Sequence, residues 1–245
     1  MIEIKNITKS YKKGTKVIEN MNLEIKNGEI FGFLGPNGAG KTTTIKMITG
    51  ILEIDEGDIV LDGKSIKREP VEAKKQIGFI SDNPDMFLKL KGIEFLNFIA
   101  DMYEVPEEIR EKRILQLSKE FGMYEVLNDK IQSYSHGMRQ KIVIISVLLH
   151  DPQNWILDEP LTGLDPESAF SLKNKMKEHA KADKVVFFST HILEIAEKLC
   201  DRIGIINHGK LVFVGTLEEM KKELKENASL EELFMEITKK NEEDN

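Results

Sequence analysis

Cysteine is nearly absent from this chain: Cys200 is the only one in 245 residues. No disulfide can form within the chain, which fits a reducing, cytosolic compartment. Long apolar runs are missing as well. None approaches the ~20 residues that cross a bilayer, so the chain is expected to dock on a membrane at most, not to span one. The N-terminal Met1-Ile2-Glu3-Ile4-Lys5 alternates like a strand and lacks the apolar centre of a signal peptide. An excess of positive charge is also lacking. The formal net charge of −7 argues against a nucleic-acid partner held through phosphate contacts. There are no internal repeats and no long low-complexity tracts. With 40% hydrophobic and 31% charged residues, the composition is that of a globular chain, either one large domain or a domain with a subdomain.

The most informative stretch is Gly35-Pro36-Asn37-Gly38-Ala39-Gly40-Lys41-Thr42, which fits the phosphate-loop pattern G-x-x-x-x-G-K-[ST]. The apolar run Glu29-Ile30-Phe31-Gly32-Phe33-Leu34 before it reads as a buried strand. Thr43 to Thr49 reads as a helix stopped by Gly50. Strand, glycine loop and helix are the setting this motif requires. A nucleoside triphosphate is highly anionic, so the loop must wrap it with backbone N–H groups, and glycines permit that approach. The start of the helix near Lys41 adds partial positive charge. Lys41 then reaches the β- and γ-phosphates, and the Thr42 hydroxyl is the Mg²⁺ ligand.

Residues 1–30 read as strands with turns. Ile2, Ile4 and Ile7 alternate roughly, and Ser10-Tyr11 leads into the basic turn Lys12-Lys13-Gly14-Thr15-Lys16. Val17-Ile18 and Met21-Asn22-Leu23-Glu24-Ile25 follow, ending at the turn signal Asn27-Gly28. Tyr11 either packs in that sheet or stands exposed beside the phosphate loop; the residues alone favour packing. Gly57 to Gly63 is hairpin-like, and Lys75 to Ile80 reads as a strand. From Gly92 to about Leu149 the period is helical, punctuated by Pro84 and Pro106. Strands return at Asn154-Trp155-Ile156-Leu157, Val185 to Thr190, and Ile203 to Val214, the last split by the hairpin signal Asn207-His208-Gly209. Strands alternating with helices argue a mostly parallel sheet, which binds ligands at the carboxyl ends of its strands. Cys200 shares a helical pattern with Ile195, Ala196 and Leu199, so a core position is expected. Leu230, Leu233, Phe234 and Ile237 form one apolar stripe, for packing on this domain or on a partner, and the tail from Thr238 is polar.

Asp158-Glu159 follows a run of apolar residues directly. Beside a phosphate loop, the first acid is suited to hold Mg²⁺ together with Thr42, and the second to orient or deprotonate the attacking water. His191 ends the next strand, where it can contact the γ-phosphate.

Taken together, these motifs resemble the ATP-binding subunits of ABC transporters, over about residues 1–237. Tyr11 matches the family's adenine-stacking aromatic, which reverses the packing preference. Residues 35–42, with Thr43, match Walker A, and Gly78-Phe79-Ile80-Ser81-Asp82 matches the Q-loop segment. Ser135-His136-Gly137-Met138-Arg139-Gln140 matches the LSGGQ signature, and Trp155 to Glu159 matches Walker B with its catalytic glutamate. Leu164-Asp165 matches the D-loop and His191 the switch histidine. Two positions depart from the pattern. Asp82 stands where glutamine is usual, able to meet Mg²⁺ or its water, with Asn83 beside it. His136 and Met138 replace a glycine and a glutamine of the signature.

The resemblance implies an α/β fold: a P-loop NTPase core with a mostly parallel sheet, an N-terminal antiparallel β subdomain and an inserted helical subdomain. Residues 1–84 and 151–225 would be the core with its β subdomain, 85–150 the helical subdomain, and 226–245 a C-terminal helix and tail. It implies ATP and Mg²⁺ as cofactors, with Thr42, Asp158 and Asp82 at the metal and Glu159, His191 and Lys41 in catalysis. It also implies a head-to-tail pair in which Ser135, Gly137 and Met138 of one subunit meet the ATP held by the other. The expected partners are a second ATPase subunit and an integral membrane permease, docked near Met86, Phe87 and Leu88, at the cytoplasmic face of the cell membrane. The signature form and Ser229-Leu230-Glu231-Glu232-Leu233-Phe234 look most like subunits paired with ABC-2-type membrane proteins, often exporters. Two other readings stay open: a soluble ABC ATPase not coupled to transport, and a nucleotide-gated regulatory subunit with little turnover.

Overall fold

The computed structural model describes residues 1–12, 14–224, 232, 234 and 235. The strands are β1 (Ile2–Lys12), β2 (Thr15–Ile25), β3 (Ile30–Leu34), β4 (Glu56–Leu61), β5 (Lys64–Ser65), β6 (Ile77–Ile80), β7 (Asn154–Asp158), β8 (Val185–Thr190), β9 (Arg202–Asn207) and β10 (Lys210–Gly215). The helices are α1 (Lys41–Ile48), α2 (Pro70–Lys75), α3 (Gly92–Met102), α4 (Glu107–Glu120), α5 (His136–His150), α6 (Pro166–Lys181), α7 (Leu193–Leu199) and α8 (Leu217–Leu224). Tyr124–Val126 and Ile131–Ser133 are single 3₁₀ turns. The helical stretch expected from Gly92 to Leu149 is thus broken into three helices by Pro106 and the loop around Gly122.

The strands form two sheets. One is antiparallel, in the order β2-β1-β4-β5. The other runs β10-β9-β3-β8-β7-β6 and is parallel except for the edge hairpin of β9 and β10. This α/β architecture is the one the motifs imply. The irregular Ile2, Ile4, Ile7 spacing is a bulge. Asn6 takes a left-handed φ of 51°, and its amide and side chain are paired reciprocally with the Asn22 carboxamide at 2.9 Å. The extra residue keeps all three isoleucines on the buried face.

Side-chain alternation along the parallel strands divides the core into faces. Trp155 and Leu157 of β7, with Val186 and Phe188 of β8, join Phe95, Leu96, Ile114 and Leu117 of the helical region in one cluster. Ile156, Val185 and Phe187 face the other way, onto β1, β2 and α1. Phe187 lies between Phe31 and Phe33, with ring centroids at 6.0 and 5.3 Å. Each such fully buried ring contributes about 1.5–3 kcal/mol. The sheet is therefore fastened on both faces, and its carboxyl edge is a fixed platform.

Trp155, the single tryptophan, is buried and stacks on His179 with ring centroids 4.1 Å apart. Burial, helped by the Lys184 charge, pushes the His179 imidazole down to about 4. Cys200 follows α7, and its Sγ packs against the Gly32 backbone. Burial pushes its thiol well above the ordinary range, so it acts as a packing group. Phe234 is partly buried against Leu34, Ala196, Ile203 and Met220, which favours packing on its own domain. Leu230, Leu233, Ile237 and the tail from Thr238 lie outside the described residues. Among the described residues no helix is long and apolar enough to cross a membrane.

Candidate functional site

The loop 35–40 links β3, central in the parallel sheet, to α1. Gly40 caps α1 with a φ of 115°, and a Cβ there would stand 2.6 Å from the Ile18 Cδ1, so the close approach of loop and β2 needs glycine. The Ala39 carbonyl accepts from the Gly209 amide at 2.9 Å, so the β9–β10 turn buttresses the loop. No side chain caps α1 and its first turn carries no acid. Among the described residues none takes its leading amides, which leaves them for an anion.

A cleft of about 390 Å³ opens over this loop, lined by Val17, Asn37, Gly38, Gly40, Lys41, Thr42, Thr43, Asp82, Asp158 and Glu159. Lys41 is 8% exposed. Its ammonium donates to the carbonyls of Gly35 at 2.7 Å and Pro36 at 3.2 Å. Burial lowers its pKa, and the charges of Glu159 and Asp158 partly restore it.

Asp158, 2% exposed, ends β7 opposite Ser189 of β8. The Ser189 hydroxyl donates to its Oδ1 at 2.5 Å. Burial raises the Asp158 pKa against the hydrogen bonds of Ser189 and Thr42, and the Asp82 and Glu159 charges add to the rise. Glu159 takes a left-handed φ of 47°. Its amide donates to the Ser189 Oγ at 3.0 Å, and its carboxylate meets the His191 Nδ1 at 2.9 Å. One hydroxyl thus aligns both acids. Ser189 escaped the sequence reading; the available signal was a polar residue closing an apolar strand in register with Asp158.

Tyr11 is 59% exposed, with its hydroxyl 3.3 Å from the Thr43 Oγ1. It is not sheet packing, and its ring stands at the mouth of the phosphate loop. Asp82, just past β6, accepts from the Ser81 hydroxyl at 3.1 Å. Met86 and Phe87 are also exposed, whereas Leu88 packs against the core.

Ser135, Gly137, Met138 and Asp165 form a second group that does not line this cleft. Ser135 caps α5 by accepting from the Met138 amide at 3.3 Å. Asp165 caps α6 through the Ser168 amide and hydroxyl, each at 2.9 Å. Lys141, which the sequence reading also missed, lies 2.6 Å from the Asp165 carboxylate and with Ser168 holds it well below the usual carboxylate range. Gly137 approaches the 160–165 loop so closely that a Cβ would meet the Gly163 oxygen at 2.7 Å. The starts of α5 and α6 are therefore tied together.

Comparison with known proteins agrees with this arrangement. Residues 18–162 match the family model described as ABC transporter. The chain belongs to the ABC transporter ATP-binding family. This ATP-binding cassette is 37% identical over 220 residues to the linearmycin resistance ATP-binding protein LnrL of Bacillus subtilis (strain 168), covering 90% of this chain and 70% of that one. A solved ATP-binding subunit of an ABC transporter superposes with a TM-score of 0.93 at 33% identity, covering 97% of this chain and 99% of that chain. A dimeric ATP-binding cassette in a post-hydrolysis state, bound to ADP and Pi, superposes with a TM-score of 0.80 at 26% identity, covering 89% and 99%. The cassette binds ATP and hydrolyses it, as members of this family do.

Proposed function

We propose that this cassette powers export by a separate integral membrane permease, working as a head-to-tail pair with two ATP molecules between its subunits. The observation that carries the reading is the separation of the two groups. The phosphate-loop cleft holds nothing from the signature segment, and Ser135, Gly137 and Met138 sit apart at an exposed helix start. A second subunit, turned head to tail, supplies the missing wall.

Lys41 and the free amides at the start of α1 hold the β- and γ-phosphates. Tyr11 stacks on the base. Glu159 orients the attacking water and takes its proton, and His191 steadies both Glu159 and the γ-phosphate. Ser189 keeps the two acids in place. The Thr42 hydroxyl and the Asp158 carboxylate, which both line the cleft, are hard oxygen donors that fit Mg²⁺. When bound there, Mg²⁺ would offset the negative charge of the nucleotide's phosphates. The partner's Ser135 hydroxyl and Gly137 amide complete the phosphate shell. Closure follows from ATP binding the paired state more tightly than the open one, and hydrolysis reverses it.

Residues 1–84 and 151–225 act as the nucleotide-binding unit, and 85–150 as the helical unit that carries the signature and receives the permease. The exposed Met86 and Phe87, at 39% and 45%, support docking there. In this reading the cassette works at the cytoplasmic face of the membrane. Support for export comes from the resistance role named for LnrL. The test is affinity purification of tagged Glu159→Gln protein from detergent-solubilised host membranes with ATP present. A co-purifying multi-span membrane protein is the expected result. Recovery of soluble protein or ribosomes alone would replace this reading with a soluble ABC ATPase.

A further inference from the structure

The phosphate cleft faces its ligand with more acidic than basic side chains. Three carboxylates line it, Asp82, Asp158 and Glu159, against one ammonium, Lys41. That ammonium already donates to the carbonyls of Gly35 and Pro36. Glu159 has His191 as its partner, and Asp158 has hydroxyls. Asp82 has a single hydroxyl donor and, among the described residues, no charged partner. Among the described residues no cation stands within ion-pair distance of it, and its side chain accepts only from the Ser81 hydroxyl. The nearby Arg139 is taken by Asp85, at 2.6 Å.

The turn that carries Asp82 is well braced. The Asn83 amide donates to the Ser81 Oγ at 3.2 Å, and the Asp85 amide to the Asn83 Oδ1 at 3.0 Å. The Asp85–Arg139 pair then fastens the turn to α5. Asp82 is thus held at the cleft wall, with its charge reaching the buried Asp158. Asp82 is solvent-exposed, so a metal-free ATP tetra-anion entering this space meets its unpaired negative charge through partly screened water, a repulsion that is strongest at low ionic strength. A divalent cation held by Thr42 and Asp158 reverses the sign of that interaction.

We infer that Asp82 is a specificity-determining residue that excludes metal-free ATP, so that nucleotide and divalent cation are admitted only together. This deepens the nucleotide-site reading above and rests on it. A neutral amide at position 82 would leave the cleft tolerant of ATP without the cation. The charge at 82 therefore couples the affinities of the two ligands, each raising the other's.

The test is isothermal titration calorimetry of ATP into the full-length chain, with Mg²⁺ and with excess EDTA. Wild type, Asp82→Asn and Asp82→Glu are compared. Asp82→Asn is expected to bind ATP in EDTA about tenfold more tightly than wild type, with a correspondingly smaller gain on adding Mg²⁺. Asp82→Glu, which keeps the charge, should retain the wild-type dependence. A gain of affinity cannot arise from misfolding. Equal ATP affinities of wild type and Asp82→Asn in EDTA would overturn the inference while leaving the nucleotide site intact. No ATP binding by wild type, with or without Mg²⁺, would overturn the nucleotide site and the inference with it.

Discussion

The phosphate-loop side of the site and the signature side differ in how they are held. On the first, the working residues are pinned from within the chain. Lys41 is nearly buried, Asp158 is 2% exposed, and Ser189 is in register to hold both acids. On the second, Ser135 and His136 are exposed, and what is fixed is the helix start behind them, through Gly163 and the Lys141–Asp165 pair. The first side is organised to hold nucleotide alone. The second is organised to present a surface. In the proposed head-to-tail pair, one chain would carry two halves of different sites.

This contrast can be tested by mutation. The largest effect is expected from Glu159→Gln, which keeps the shape and loses the base. Turnover should fall by roughly 10³-fold while ATP affinity holds, as read by phosphate release and calorimetry. Wild-type turnover in this variant would remove Glu159 from its role. Lys41→Ala comes next. It strips the ammonium from the phosphate side, and ATP affinity should weaken by about a hundredfold or more. Unchanged affinity would break the assignment of the cleft.

Ser135→Arg acts on the other side. It should lower turnover by about a hundredfold while leaving the ATP affinity of the monomer unaltered. Mixing Ser135→Arg with Lys41→Ala sharpens the point, because a head-to-tail heterodimer recovers one intact site. Partial return of activity is expected on mixing; none would argue against the swapped geometry. The smallest effect is expected from Ser189→Ala. Turnover should fall about tenfold with KM nearly constant, since the hydroxyl positions Asp158 and Glu159 without touching substrate. A KM shift with constant turnover would mean that Ser189 acts on nucleotide binding.

Much of this was legible in residue order, and the reason is local. A phosphate loop is a contiguous device, so residues 35–42 could be read directly, as could acids at the end of an apolar strand. The hairpin at Asn207-His208-Gly209 is specified by its own turn residues. Less visible were features that depend on two distant segments meeting. Ser189 gains its meaning only from register with Asp158, and Lys141 from the approach of α5 to α6. Tyr11 read as packing from its strand alone, because nothing in that strand reveals that the residue leaves the sheet beside Thr43. The bulge at Asn6 is intermediate. The broken isoleucine spacing hinted at it, but its cause is the pairing with Asn22 across the hairpin.

The stack of Trp155 on His179 has a practical consequence. Trp155 is the chain's single indole, and it lies on the strand that ends in Asp158. Intrinsic tryptophan emission therefore originates near the start of the strand that carries Asp158 and is free of competing tryptophans. Its neighbour stays uncharged until the medium approaches about pH 4, so quenching by imidazolium is absent under neutral conditions. A shift in wavelength or lifetime on adding nucleotide then reads out movement of β7 against α6. The cassette carries its own optical strain gauge, with no label to attach.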